Sequence, residues 1–455
     1  MKTLRASSNP DFNMKDSTFI GRIWALIIFI IALFTRTFLL DKFPYFPPEY
    51  PYLGDRPGPL GLYRDEAEYL RLAKLLPSEL PYYQPWLHLV LIRLSIMLLG
   101  ESSFSVRLPS AIASSLTALL IFLISRQLFK DNISAAISSL YYVVMFPSFV
   151  YGRMNFLENT VSMFLLLTIY LLSGRNHSKR IFLSGISAIL AVLSKMRGVV
   201  AVMYYTVEIL RENQISKRRK MLYLIPFLSI LLGIIFTILW LVDWNISFIL
   251  FRWQIGKIGL DIISWKYLII RHLPSGYAPG SYLVEYWYVF SYITFIYAIV
   301  KEPTKMQPIA LSLSLMFLLY MLTWGYGSYH LIIMHSLVTI PLGYGVRKMV
   351  EMKFYISLLI VTLLYMPIVS EIAMNICSME SYCVNMLRYS LYVIAIAPIF
   401  LTLIKRELKK ISRTYNMMLL SSLLIMLVYA SYISPIFYPY YLAALSLTKL
   451  KFTAF

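Results

Sequence analysis

Charge is scarce in this sequence. Only 14% of its 455 residues are Asp, Glu, Lys or Arg, against about a quarter in an ordinary soluble domain, while 59% are hydrophobic. Too little polar surface is available to cover such a chain in water, which excludes a soluble enzyme with an added anchor. Cysteine is nearly absent. Cys377 and Cys383 cannot build a disulfide framework or a zinc cluster. No nucleotide-binding glycine loop, heptad repeat or low-complexity tract is present, and no soluble domain is expected at either end. Acids are scarcer than bases, 22 against 42, leaving a formal charge of +20. That excess would suggest nucleic acid in a soluble protein, but in a membrane protein it first reports topology.

What the chain does have is apolar runs. They centre on 23–40, 108–125, 133–150, 156–172, 181–193, 199–210, 221–242, 284–300, 307–323, 331–346, 354–370, 386–404 and 416–433. A span needs about 20 apolar residues, so the pattern predicts an all-α polytopic membrane protein with about 13 transmembrane helices. The first run has no small-residue cleavage site and is expected to be retained. One further run, 86–99, is short and carries His88 and Arg93. Treating it as a surface helix leaves the majority of Lys and Arg in inner loops, whereas treating it as a span sends the majority outside. The positive-inside rule therefore predicts an inner N-terminus, a juxtamembrane helix over 86–99, and two large loops, 41–107 and 243–283, on the outer face.

The sharpest polar feature is Tyr63-Arg-Asp-Glu-Ala-Glu-Tyr69, which follows a proline-rich extended stretch and places Asp65 and Glu66 at the start of a short helix. Acids there can simply favour a helix N-terminus. Further motifs follow in order: Pro85-Trp-Leu87, Leu99-Gly100 through Arg107-Leu-Pro-Ser-Ala111, Arg126-Gln-Leu-Phe129, Gly152-Arg153 to Glu158, Gly185 to Lys195, and Tyr329-His330. In this order the sequence resembles the GT-C superfamily of membrane glycosyltransferases, in particular the protein O-mannosyltransferase and lipid A aminoarabinose transferase group. The resemblance covers residues 20–345. Two departures stand out: Gln84-Pro-Trp-Leu87 replaces a basic residue followed by Pro-Pro-Leu, and Glu158 replaces an aspartate.

The resemblance implies transfer of a sugar from a polyprenyl- or dolichyl-phosphate donor to a lipid, glycan or protein acceptor, by inverting single displacement. Asp65 would take the acceptor's proton as its oxygen attacks. Glu66 would orient the acceptor or a cation, or accept a supporting hydrogen bond. Glu158 is either a second active-site acid or the partner of Arg153, itself a candidate substrate contact. Lys195 and Arg197, in Ser194-Lys-Met-Arg-Gly198 between two apolar half-runs, are expensive beside lipid alone; a departing phosphate would use them, or they reach lipid headgroups from a hydrated turn. Arg271 in the second loop and His330 are further candidates for substrate binding. No metal cluster is expected from the spacing of the five histidines, no cofactor is required, and a divalent cation has no support in the sequence.

A catalytic module is thus expected over 1–346, with additional spans over 347–455, in a multi-pass cell-membrane protein whose site faces outward. Two other readings remain open. A lipid or polysaccharide transporter would carry acids and bases mid-membrane, whereas here they collect at span ends. An inactive GT-C scaffold is compatible with the change at Gln84.

Overall fold

A computed structural model describes residues 10–42, 62, 64–76, 85–173, 178–212, 215–241, 281–322 and 332–351. Its described elements are helices: α1 (Pro10–Thr37), α2 (Arg64–Leu75), α3 (Trp86–Leu99), α4 (Ser103–Phe129), α5 (Asn132–Val144), α6 (Phe146–Arg153) and α7 (Leu157–Ser173). They continue with α8 (Ser178–Ser194), a 3-10 turn (Met196–Gly198), α9 (Val199–Arg211), α10 (Lys217–Leu241), α11 (Ser281–Lys301), α12 (Pro303–Leu322), α13 (Ile332–Thr339) and α14 (Leu342–Glu351).

The first helix shows which solvent the fold is built for. Ile28, Ala32 and Arg36, four residues apart, are buried on the side that packs against α4. Leu26, Ile30 and Phe34, offset by two, are 60%, 55% and 60% exposed. In water each exposed side chain would forgo about 1.5–3 kcal/mol of burial, but hydrocarbon removes that cost. The chain is a membrane protein, and α1 turns this stripe to lipid.

The central helix α4 packs against α1, α3, α5 and α7. Its buried face is made of small residues, including Ser110, Ala111, Ser114, Ser115, Thr117 and Ala118, which let neighbouring backbones approach closely. Ser102 caps it in a reciprocal capping box with Ser105. Pro109 lies inside the helix and has no N–H to offer the Ser105 carbonyl. The Ser95 hydroxyl donates to that carbonyl instead, at 2.6 Å, tying α3 to α4.

A second proline changes an expected boundary. The single span read over 133–150 is broken at Met145, where ψ is 121°, into α5 and α6. Pro147 cannot donate to the Val143 carbonyl four residues back, and its ring would collide with it. The buried Arg36 guanidinium of α1 donates to the freed Val143 oxygen at 2.9 Å, and its Nε donates to Ser114 Oγ at 3.1 Å. Gly152 of α6 lies so close that an added Cβ would run into Ser114 Oγ and Arg36 Nε.

Other boundaries follow the sequence reading. Residues 86–99 form a separate helix, with His88, Leu89, Ile92 and Ser95 buried and Leu94, Met97 and Leu98 exposed. The break at Ser194–Gly198 separates α8 from α9. Gly198 is required there by space, because a Cβ would strike the Ala191 backbone oxygen.

Phe19–Thr37 and Ser103–Phe129 are long and apolar enough to cross a membrane on composition alone, while Trp86–Leu99, Asn132–Val144, Leu157–Ser173 and Ser291–Lys301 are shorter apolar helices. The remaining expected spans include several that lie outside the described residues, as do Arg271, His330, Cys377 and Cys383.

Candidate active site

The end of α1, the starts of α2, α3, α4 and α7, the end of α8 and the 3-10 turn after it meet at one end of the bundle. Under them Tyr69, Leu72 and Ala73 of α2, Leu89 and Ile92 of α3, Phe149 of α6 and Leu157 of α7 form a small apolar cluster, separate from the main core. This cluster fixes α2 and α3 on the ends of the longer helices and leaves the polar residues above it.

Asp65 and Glu66 are in the first turn of α2, where the helix dipole favours acids. Adjacent residues on a helix point about 100° apart, and here they have different fates. Glu66 is fully buried and meets Arg107 of α4 in a two-pronged pair, Nε to Oε1 at 2.8 Å and Nη2 to Oε2 at 2.9 Å. The Asn155 backbone N–H donates to Glu66 Oε1 at 2.8 Å, and Arg107 Nη1 donates to the Leu40 carbonyl at 3.3 Å. Of the roles expected of Glu66, these bonds fit that of a supporting hydrogen-bond acceptor. Asp65 stays half-buried.

Glu158 is in the first turn of α7 and is fully buried. Lys195 Nζ donates to its Oε1 at 2.6 Å, and Arg197 Nη1 lies 3.7 Å from the same oxygen. The two cation side chains are 13% and 11% exposed, so bulk water reaches little of either. Burial pushes the Lys195 ammonium below its usual range and Arg197 adds to this, while Glu158 and, more weakly, Asp65 pull it back up. Asp65 is therefore within electrostatic reach of the Glu158–Lys195 pair. The sequence brought these four residues forward one by one; folding gathers them.

Arg153 is 3% exposed, and its guanidinium donates to the carbonyls of Thr35, Phe38 and Leu39 at 2.6, 2.7 and 2.9 Å. It thereby holds the end of α1 and the turn that follows it. Phe149 lies between Arg153 and Arg36, with the two guanidinium carbons 5.3 and 5.5 Å from its ring centre.

Three contributors were missed. His88, Asn155 and Thr160 are all fully buried. The His88 ring bonds Asn155 Oδ1 through Nε2 and Thr160 Oγ1 through Nδ1, both at 2.7 Å. Burial drives its pKa down to about 4 despite the Asn155 bond and the Glu158 charge, so the ring is neutral. An ionisable residue in a short apolar helix was the available signal; its partners are remote in sequence. Arg107 stood inside a quoted motif and had no assigned partner. Among the described residues no three His, Cys, Asp or Glu side chains converge as metal ligands.

Known proteins resemble this chain in family model and in fold. Residues 83–242 match the family model described as dolichyl-phosphate-mannose-protein mannosyltransferase. ArnT from Cupriavidus metallidurans, in a crystal structure bound to undecaprenyl phosphate, is similar in fold, with a TM-score of 0.52 at 14% identity over 91% of this chain and 77% of that one. Its apo structure gives 0.49 at 13% identity, over 92% and 78%. The oligosaccharyltransferase AglB from Archaeoglobus fulgidus, in complex with an inhibitory peptide and a dolichol-phosphate, gives 0.44 at 14% identity, with 82% of this chain matched to 56% of AglB. A search of curated protein sequences finds no match. In family model and in fold, this chain is similar to the GT-C membrane glycosyltransferases.

Proposed function

We propose that this protein transfers a sugar from a polyprenyl- or dolichyl-phosphate donor to a lipid, glycan or protein acceptor at the outer membrane boundary, by single displacement with inversion. Asp65 is the general base. As the acceptor oxygen attacks the anomeric carbon, Asp65 takes its proton, the bond from that carbon to the phosphate oxygen breaks, and the lipid phosphate leaves with the electron pair. Lys195 and Arg197 meet the charge that grows on this phosphate, and Glu158 holds both cations in place beforehand. Arg271 and His330, outside the described residues, are substrate-binding residues in this reading.

The observation that carries it is the charge arrangement at the bundle end: Lys195 and Arg197 both lie against the buried Glu158, and the charge of Asp65 reaches Lys195. A lipid-linked donor suits such a place, since its hydrocarbon stays beside the helices while its phosphosugar enters between them. The family match over residues 83–242 and the ArnT-like fold support the same donor class.

Asp65→Asn keeps shape and removes the base. Transfer from a polyprenyl-phosphate sugar in detergent micelles should fall by roughly 10²–10⁴-fold, with membrane insertion and elution volume unchanged. Wild-type turnover in that variant removes the proposal. Micelles also exclude vectorial transport as the source of signal, because transport needs a sealed compartment.

A further inference from the structure

His88 contacts no group assigned to the reaction, yet its two bonds bracket one. Asn155 and Thr160 lie on either side of Glu158, so a single imidazole on α3 holds both flanks of the turn that presents this carboxylate. The same Asn155 donates its backbone N–H to Glu66, the neighbour of Asp65. One neutral ring therefore connects the segment carrying Glu158 with the segment carrying Asp65.

Its chemistry suits this task. Asn155 presents Oδ1, which accepts, so the ring donates from Nε2; a neutral imidazole then has Nδ1 free to accept from the Thr160 hydroxyl. A lysine or arginine could only donate, and an acid would place a third negative charge beside Glu158. Every member of the chain from Thr160 through His88, Asn155 and Glu66 to Arg107 is fully buried, so water does not replace a lost bond.

We propose that His88 is a positioning residue that keeps the Glu158 and Asp65 segments in register for transfer. This rests on the function proposed above, because register matters only if the two acids act on one substrate. A displacement of about 1 Å at a reacting group costs on the order of 10²-fold in rate. The role should therefore appear in kcat and spare the KM for the lipid donor.

Three variants separate the bonds. His88→Gln can still donate to Asn155, Thr160→Val removes only the hydroxyl, and His88→Leu removes both bonds. We expect kcat to fall about tenfold in Thr160→Val and about 10²-fold in His88→Leu, with His88→Gln recovering most of the difference and donor KM staying within twofold throughout. Lys195 supplies a readout that does not depend on turnover: its acylation rate by a small amine reagent, followed by peptide mass spectrometry, should rise at least threefold in His88→Leu as the Glu158–Lys195 pair loosens. Wild-type kcat in Thr160→Val and His88→Leu, with unchanged Lys195 acylation in His88→Leu, overturns the proposal. If the wild-type protein transfers no sugar, the proposed function fails first, and Lys195 acylation alone decides whether His88 sets that pair.

Discussion

Two charged pairs, one at each end of the bundle, differ in how far water reaches them. At the end carrying Asp65, Glu66 and Arg107 are 0% and 1% exposed, and their bond is two-pronged. At the other end Asp131 caps α5 by accepting from Ser134 N–H, and Arg347 of α14 donates to it at 2.8 Å; these side chains are 21% and 53% exposed. Lys305 and Glu302 pair nearby at 2.9 Å, 44% and 28% exposed. Exposed pairs are worth about 0–1 kcal/mol, because water competes for both ions. Buried pairs repay their desolvation only through geometry, and losing one partner strands the other. The Glu66–Arg107 pair is held in fixed geometry away from water, whereas the Asp131–Arg347 pair stays open to it, as does Lys74–Glu101 beside the first pair.

Breaking the buried pair should have the largest effect on stability. Arg107→Met leaves Glu66 charged among apolar neighbours and should cost about 3–5 kcal/mol, read as a collapse of the thermal unfolding midpoint in detergent. A midpoint within a degree or two of wild type would show that water reaches Glu66.

The next effect comes from His88. Its folded pKa, about 4, is below the unfolded value of 6.5, so between these pH values the unfolded chain binds the extra proton. Stability should be flat above pH 6.5 and fall as pH drops towards 4, by up to ~3 kcal/mol if no other group changes. Unfolding measured across that window should lose this slope in His88→Gln; an unchanged slope would assign it to other groups.

The smallest effect is expected at the exposed pair. Arg347→Ala should shift stability by less than about 1 kcal/mol, and the remaining shift should shrink further in high salt. Asp131 sharpens the contrast, since burial raises its pKa while the bonds from Ser134 and Arg347 lower it more, to a net fall. Its contribution is therefore present at neutral pH and lost as pH falls through the lowered value. A loss at Arg347 matching that at Arg107 would end the distinction between the two pairs.

Much of the fold was legible in the sequence, for local reasons. The separate short helix at 86–99 announced itself by length and polar content, and the break at Ser194–Gly198 by two cations between apolar half-runs. The break at Met145 was less visible. Its proline stood in plain sight, but Pro109 shows that a proline within an apolar run need not end a helix; at the break Arg36, from a different helix, takes up the Val143 carbonyl. Asp65, Glu158, Lys195 and Arg197 were likewise visible as charged residues at span boundaries. Their pairing was not, nor were the partners of Arg153 and Glu66.

Composition by itself determined the solvent, since a chain with 59% hydrophobic and 14% charged residues has no folded state that hides its apolar surface from water. Spacing and order determined the helices and which boundary residues were worth naming. The tertiary structure alone decided that Lys195 neutralises Glu158, that Arg107 rather than solvent meets Glu66, and that His88 spans Asn155 and Thr160. The reason is physical: helix periodicity is written within a few neighbouring residues, whereas the partner of a buried charge is set by which helices pack side by side.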